Sequence, residues 1–282
     1  MTVNELYRQG CDYLEEAQVD NAAFDARCML EKLMKVDTSH FLMLRDSEVD
    51  TRLVVDYLGF IRRRVSGEPL QYILGEWEFM GNTFEVGKGV LIPRPETELL
   101  VEFAVRFLSG KKEPVVFDLC SGSGCIAVSV AKICKNSKVF AIEKSPEAFS
   151  FLKKNVKINR TRNVTAILGD ICDTDTLKGI KPDLIISNPP YIKTDEIPLL
   201  QREVRQEPAM ALDGGNDGYD FYRIITEKWL DFIAPGGAIA VECAEDQAEH
   251  ISDMFTDKNF STEIINDLSG FPRIVVGYAN RK

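Results

Sequence analysis

A chain of 282 residues, 45% hydrophobic and 28% charged, has a globular composition and room for one large or two ordinary domains. No apolar run reaches the length of a membrane span. The net charge of −10 argues against a protein whose main task is gripping a phosphate backbone, though a local basic patch stays open. The seven cysteines are scattered with no C-x-x-C pair and there are only two histidines, so no zinc pattern forms, no metal is expected, and free thiols in a reducing cytosol fit best.

The first residues, Met1-Thr2-Val3-Asn4-Glu5, show neither a basic region nor an apolar core of a signal peptide, so a cytoplasmic protein is expected. Residues 1 to about 66 read as helices. Leu6, Cys11, Leu14 and Ala17 space helically, a second helix starts at Ala22 after an Asp20/Asn21 cap, and a further one runs from Val49 to Val65. The basic run Arg62-Arg63-Arg64 reads as a solvated helix end that complements the dipole. A segment from Gly67 to Gly75 breaks the helical pattern. Trp77 to Val86 then reads as a hairpin with Gly81-Asn82 at its turn. The expected organisation is a helical domain over 1–73, a hairpin linker over 74–90 and a larger domain over 91–282.

From about residue 91 strands and helices alternate. Strands are expected at Val115–Leu119, Lys138–Ile142, Val164–Leu168, Leu184–Ser187 and Gly237–Val241, with helices at Ile126–Ile133, Ala148–Ile158 and Ile224–Phe232. That order makes a doubly wound α/β sheet. Two late strands, near 260–265 and 273–278, depart from the alternation.

Three loops follow strands on one edge of this sheet, where ligands bind in open α/β folds. The first is Cys120-Ser121-Gly122-Ser123-Gly124, whose glycines permit a tight turn and close approach of a ligand to the backbone. Glu143 ends the next strand, and a carboxylate there suits a ribose diol. Alanine at 127 is compatible with a dinucleotide fingerprint, so the glycines leave the cofactor open. The third strand ends at Gly169-Asp170, where an acid can accept from an adenine amino group or serve as an ordinary loop residue.

The fourth strand delivers Asn188-Pro189-Pro190-Tyr191. The Asn188 side chain offers an amide oxygen. The Pro189 carbonyl is a second acceptor whose direction is fixed by the two proline rings. Tyr191 adds a flat wall. Two acceptors beside an aromatic suit a planar –NH2 group. A nucleoside donor beside an amine acceptor means group transfer to nitrogen, and no catalytic His or Lys/Tyr pair for hydride chemistry is evident.

With these residues in place, the chain resembles the HemK/PrmC family over nearly its whole length. The resemblance includes Gly67–Gly75, Leu91-Ile92-Pro93-Arg94-Pro95-Glu96-Thr97-Glu98, Asp118–Gly124, Ser187–Ile192, Glu207-Pro208 and Ala211–Gly218. It implies a Rossmann-like, seven-stranded class I methyltransferase domain behind a small helical bundle. It implies transfer of a methyl group from S-adenosylmethionine to the side-chain amide nitrogen (N5) of a glutamine in peptide-chain release factors. On matching positions it implies donor contacts at Cys120, Ser121, Gly122, Ser123, Gly124, Glu143, Asp170, Ile171 and Asn188. Asn188, Pro189, Pro190 and Tyr191 would hold the substrate amide, with Asn188, Pro189 and Tyr191 catalytic. Cys120 stands where glycine is frequent, and Glu143 where aspartate is frequent.

The tetrapeptide is shared with adenine methyltransferases, so a nucleic-acid adenine N6-methyltransferase and a ribosomal-protein glutamine methyltransferase are the alternatives. A non-catalytic scaffold that binds release factor is a third. The acidic charge counts against direct nucleic-acid binding. A monomer is expected. The sequence leaves open whether Glu242 and Gln247 touch the site.

Overall fold

The computed structural model describes residues 1–280 and divides into two compact units. The first comprises residues 1–76 together with 201–206. It contains five helices: α1 (Val3–Glu16), α2 (Ala22–Met34), α3 (Thr38–Met43), α4 (Thr51–Val65) and the short α5 (Leu70–Leu74). Thr2 and Glu5 close a capping box at the start of α1. Asn21 does precede α2, but in a left-handed conformation and with no side-chain cap bond. Leu6, Leu14, Met29, Leu30 and Tyr57 form the buried centre.

Two expectations change in this unit. The Gly67–Gly75 segment is not free of helix, since it holds α5. Nor is the arginine run a solvated helix end throughout, although Arg62 is exposed. Arg64 is buried, with Nε 2.6 Å from Asp25 and Nη1 2.8 Å from Glu203, and Arg63 pairs with Glu68 at 2.6 Å. The sequence could not show this because Glu203 lies 139 residues away.

The second unit comprises residues 77–200 and 207–280 of the described chain. It opens within a hairpin of β1 (Glu76–Phe79), whose first residue is the last of the first unit's 1–76 segment, and β2 (Asn82–Glu85). Its turn is Met80-Gly81, both at positive φ, one residue earlier than the sequence suggests. Positive φ at both central positions is the type I′ geometry that matches strand twist. Asn82 is instead the first strand residue, its amide donating to the Met80 carbonyl at 2.8 Å. Nor is the hairpin a free linker. Phe79 and Phe84 are in the main core, and the buried Asn155 side chain exchanges hydrogen bonds with the Glu85 backbone.

Then follow α6 (Glu98–Leu108), β3 (Val115–Leu119), α7 (Cys125–Ile133), β4 (Lys138–Glu143), α8 (Pro146–Ile158), β5 (Val164–Leu168), β6 (Leu184–Ser187), α9 (Asp220–Lys228), β7 (Ala238–Glu242), α10 (Ala248–Thr256), β8 (Ser261–Asn266) and β9 (Pro272–Tyr278). Helix α9 starts four residues before the expected Ile224. After it, Leu230–Phe232 form a separate 3-10 turn.

The seven-stranded sheet has the order β5-β4-β3-β6-β7-β9-β8, parallel except for β9. Side chains alternate between two cores. Val116, Val139, Ala141, Leu184, Ile186, Ala238 and Ala240 pack under α6 and α7. Phe117, Leu119, Ile142, Ile185, Ile239 and Val241 pack under α9 and α10. Burial on both faces is why these strands read as continuous apolar runs. The chain returns from β5 to lay β6 beside β3, so the order reverses there. The loops after β3 and β6 therefore flank the crevice where such sheets bind ligands.

Candidate active site

A cavity of about 380 Å³ opens at this crevice, within the range of small-molecule sites. Its lining draws on the loops after four strands: Cys120 and Gly122 after β3, Glu143 to Ser145 after β4, Gly169 to Ile171 after β5, and Asn188 and Pro190 after β6. Gly89–Leu91, Pro208–Ala211 and Phe221 close the remaining walls. Ser121, Ser123, Gly124, Pro189 and Tyr191 are not among its lining residues.

The loop after β3 is held by its own polar groups. Gly122 N donates to Glu143 Oε2 at 2.7 Å, and Ser145 N donates to Oε1 at 2.7 Å. One carboxylate thus ties the glycine loop to the start of α8. Burial raises the Glu143 pKa, and the backbone donors of Ser145 and Gly122 work against that rise. Cys120 stands at φ +60, which explains why glycine suits that position. A Cβ on Gly122 would meet nothing within 4 Å, so the loop leaves open space toward a ligand.

Asp170 is already engaged. Its Oδ2 lies 2.8 Å from Lys144 Nζ and its Oδ1 accepts from Cys172 N at 2.8 Å. Burial pulls its pKa up, but the Lys144 ammonium and the Cys172 N–H outweigh that and hold it below the usual carboxylate range.

In the loop after β6, Asn188 Nδ2 donates to Thr97 Oγ1 at 3.1 Å. Among the described residues, Asn188 Oδ1 and the Pro189 carbonyl take no hydrogen bond. These are the two acceptors that the sequence singles out. Thr97 was not singled out for this role. It is 2% exposed and ends a 3-10 turn, Pro95–Thr97.

Gln247 and Glu242, left open by the sequence, both lie behind this loop. Gln247 Nε2 donates to the Tyr191 carbonyl at 3.0 Å and the Gly218 carbonyl at 3.2 Å, so it staples the loop to the Gly214–Gly218 segment. A Cβ on Gly214 would fall 2.7 Å from Tyr191 Cα, so only glycine allows the two segments to pack this closely. Tyr191 Oη reaches Glu242 Oε1 at 3.5 Å. Burial drives the Tyr191 hydroxyl pKa well up, so it is neutral at ordinary pH.

The entry segment and the far wall are joined. Ile92 N donates to Glu207 Oε2 at 2.9 Å, and Arg94 pairs with Glu207 Oε1. Glu207 precedes the Pro208–Ala211 wall, so the Arg94 segment and that wall form one structural unit. Sequence spacing gives no signal for this pair.

A seven-stranded sheet with a nucleoside-sized cavity over its crevice is the architecture of a class I methyltransferase. Residues 5–75 match the PrmC N-terminal domain family, and residues 103–210 match the TRM5/TYW2 methyltransferase domain family. A methyltransferase structure from Pyrococcus furiosus aligns with a TM-score of 0.52 at 19% identity, covering 71% of this chain and 90% of that one, which supports the fold. A release factor glutamine methyltransferase from Clostridium acetobutylicum is 36% identical over 279 residues, 98% of each chain. One from Geobacter sulfurreducens is 39% identical, covering 94% of this chain and 92% of that one. The chain belongs to the release factor glutamine methyltransferase family. No helix among the described residues is long and apolar enough to cross a membrane.

Proposed function

We propose that this protein transfers a methyl group from S-adenosylmethionine to the side-chain amide nitrogen of a glutamine in a peptide-chain release factor, in the cytoplasm, and so modifies translation termination. The observation that carries the reading is the Asn188 amide, held by Thr97 through its nitrogen with its oxygen unengaged at the edge of the cavity.

The cavity residues fit the cofactor. Glu143, Glu147 and Asp170 set three carboxylates against one ammonium, Lys144. That balance suits a ligand carrying a sulfonium and an ammonium better than a dinucleotide with a pyrophosphate. Glu143 would hold the ribose hydroxyls and the 120–124 loop the neighbouring backbone. Ile142, Ile171 and Phe221 supply apolar walls for the base, with Asp170 at its edge. S-adenosylmethionine supplies an electrophilic methyl group on sulfur.

The chain's part is positioning and charge. An amide nitrogen is a poor nucleophile because its lone pair is delocalised. Asn188 Oδ1 and the Pro189 carbonyl, accepting its two N–H groups, orient it and offset positive charge as the C–N bond forms. Pro190 and Tyr191 fix the loop. Proximity alone can contribute several of the roughly 7–11 kcal/mol available to a well-oriented pair. The helical unit, residues 1–73 in the sequence reading, would recognise the body of the protein substrate and so supply remote binding energy.

The test is a transfer assay with isotope-labelled methyl donor and a panel of acceptors: release factors, ribosomal proteins, RNA and DNA. Label is expected on release factor. Label confined to ribosomal protein or nucleic acid supports one of the alternatives, and label on none contradicts the reading.

A further inference from the structure

Trp229 follows directly on α9 and is fully buried. Its ring meets Phe117 of β3 edge to face, with ring centres 6.0 Å apart, and leans on Phe232 at 5.3 Å. A buried indole N–H needs an acceptor. Here Trp229 Nε1 donates to the Ile171 carbonyl at 2.8 Å, 58 residues earlier in the chain. The preceding residue, Lys228, reaches the next carbonyl, its Nζ donating to Cys172 O at 2.7 Å. Two neighbouring residues at the end of α9 therefore hold two successive carbonyls of the loop after β5.

That loop is a wall of the cavity, which Gly169, Asp170 and Ile171 line. Connecting loops are ordinarily the mobile parts of a fold. This one is held residue by residue. Lys144 and the Cys172 N–H hold the Asp170 carboxylate, Trp229 the Ile171 carbonyl and Lys228 the Cys172 carbonyl. Lys144 and Lys228 are exposed, and a bond from an exposed ammonium contributes little. The indole bond is made out of water, where an unpaired carbonyl is costly, so it dominates. Phe221, in the first turn of the same helix, also lines the cavity. One helix thus supplies one wall and fixes another.

We propose that Trp229 is a positioning residue for the methyl donor: its indole N–H fixes the Ile171 carbonyl, and with it the Gly169–Ile171 wall, in the shape that receives the base. Lys228 assists. This rests on the donor reading of the cavity and adds a residue that does not itself line it. A wall held in place beforehand need not be ordered when the donor arrives, and that ordering otherwise weakens binding. Losing the bond therefore weakens donor binding and leaves transfer from the loaded enzyme intact.

The test is calorimetry on the full-length protein with two probes, S-adenosylhomocysteine (the demethylated donor) and adenosine. Trp229→Phe keeps an aromatic ring and removes the N–H. Both dissociation constants should rise about tenfold, the scale of one buried hydrogen bond, because adenosine already carries the base that meets this wall. The KM for donor should rise by a similar factor while kcat at saturating donor stays within about twofold. An indole that only supports the core would lower the melting temperature and the active fraction without this split. Should Trp229→Phe fail to fold, Lys228→Met at an exposed position stands in for it and should raise both constants about two- to threefold. Unchanged constants in the variant that carries the test, or a loss seen with S-adenosylhomocysteine and absent with adenosine, overturn the positioning role and leave the donor reading standing. A wild-type protein that binds neither probe overturns both.

Discussion

Arg94 and Glu207 lie 113 residues apart and form an ion pair in which the Glu207 side chain is 1% exposed. Burial raises the Glu207 pKa, and Arg94 and the Ile92 N–H work against that rise. Removing the arginine leaves a buried charge without its partner. Arg94→Met should cost about 2 kcal/mol in urea unfolding, below the roughly 3–5 of a fully buried pair because the Arg94 side chain is partly in water. Donor affinity should fall as well, since Glu207 anchors the Pro208–Ala211 wall. Adding Glu207→Gln should recover part of the stability. Strict additivity in that double-mutant cycle would show that the two residues do not interact.

Asn188 and Glu143 separate transfer from donor binding. Asn188→Ala removes one clamp acceptor and should lower single-turnover rate by about 10²–10³ with a smaller change in donor affinity. Glu143→Ala should do the reverse in calorimetry, weakening donor binding first. Near-wild-type turnover in Asn188→Ala would contradict the clamp.

Gly218 has φ +81, and a Cβ there would fall 2.7 Å from both Gln247 Nε2 and the Tyr191 carbonyl. Gly218→Ala should therefore unseat the Gln247 staple. A loss of about 1–3 kcal/mol in stability is expected from backbone strain, with kcat lowered through the displaced Tyr191 loop. Gln247→Leu should share the kinetic defect without the strain. If Gly218→Ala melts and turns over like the wild type, the staple has no such role.

The Asp118 carboxyl is fully buried, and burial raises its pKa to about 8 from an ordinary 3.8. Between those values the folded chain keeps a proton that the unfolded chain releases. The sign is then fixed: its contribution is fully present below about pH 4 and lost as pH rises toward 8. The fall in melting temperature from about pH 5 to 8 should be shallower in Asp118→Asn than in the wild type. An unchanged slope would mean that Asp118 is ionised in the folded state.

Much of this architecture was legible in the sequence because the physics behind it is local. Buried parallel strands read as apolar runs, and Val115–Leu119 and Leu184–Ser187 carry their boundaries in that pattern. The amide of Asn188 and the fixed proline geometry at Pro189 made both stand out as candidate acceptors. What stayed hidden depends on residues brought together from afar. Arg64 looked solvated until Asp25 and Glu203 closed on it. Thr97 has no role of its own in the Leu91–Glu98 segment until the fold sets it against Asn188. The hairpin turn was misplaced by one residue because Met80 adopts a positive φ that its side chain gives no reason to expect.

The central claim is that the methyl group ends on a glutamine side chain of a release factor. The most direct measurement is fragmentation mass spectrometry of release factor after incubation with the protein and labelled methyl donor. A mass gain of one methyl group is expected, confined to a single glutamine and located on its side-chain nitrogen. A methyl on another residue type or on the main chain, or none on release factor while RNA, DNA or a ribosomal protein takes up the label, would contradict it.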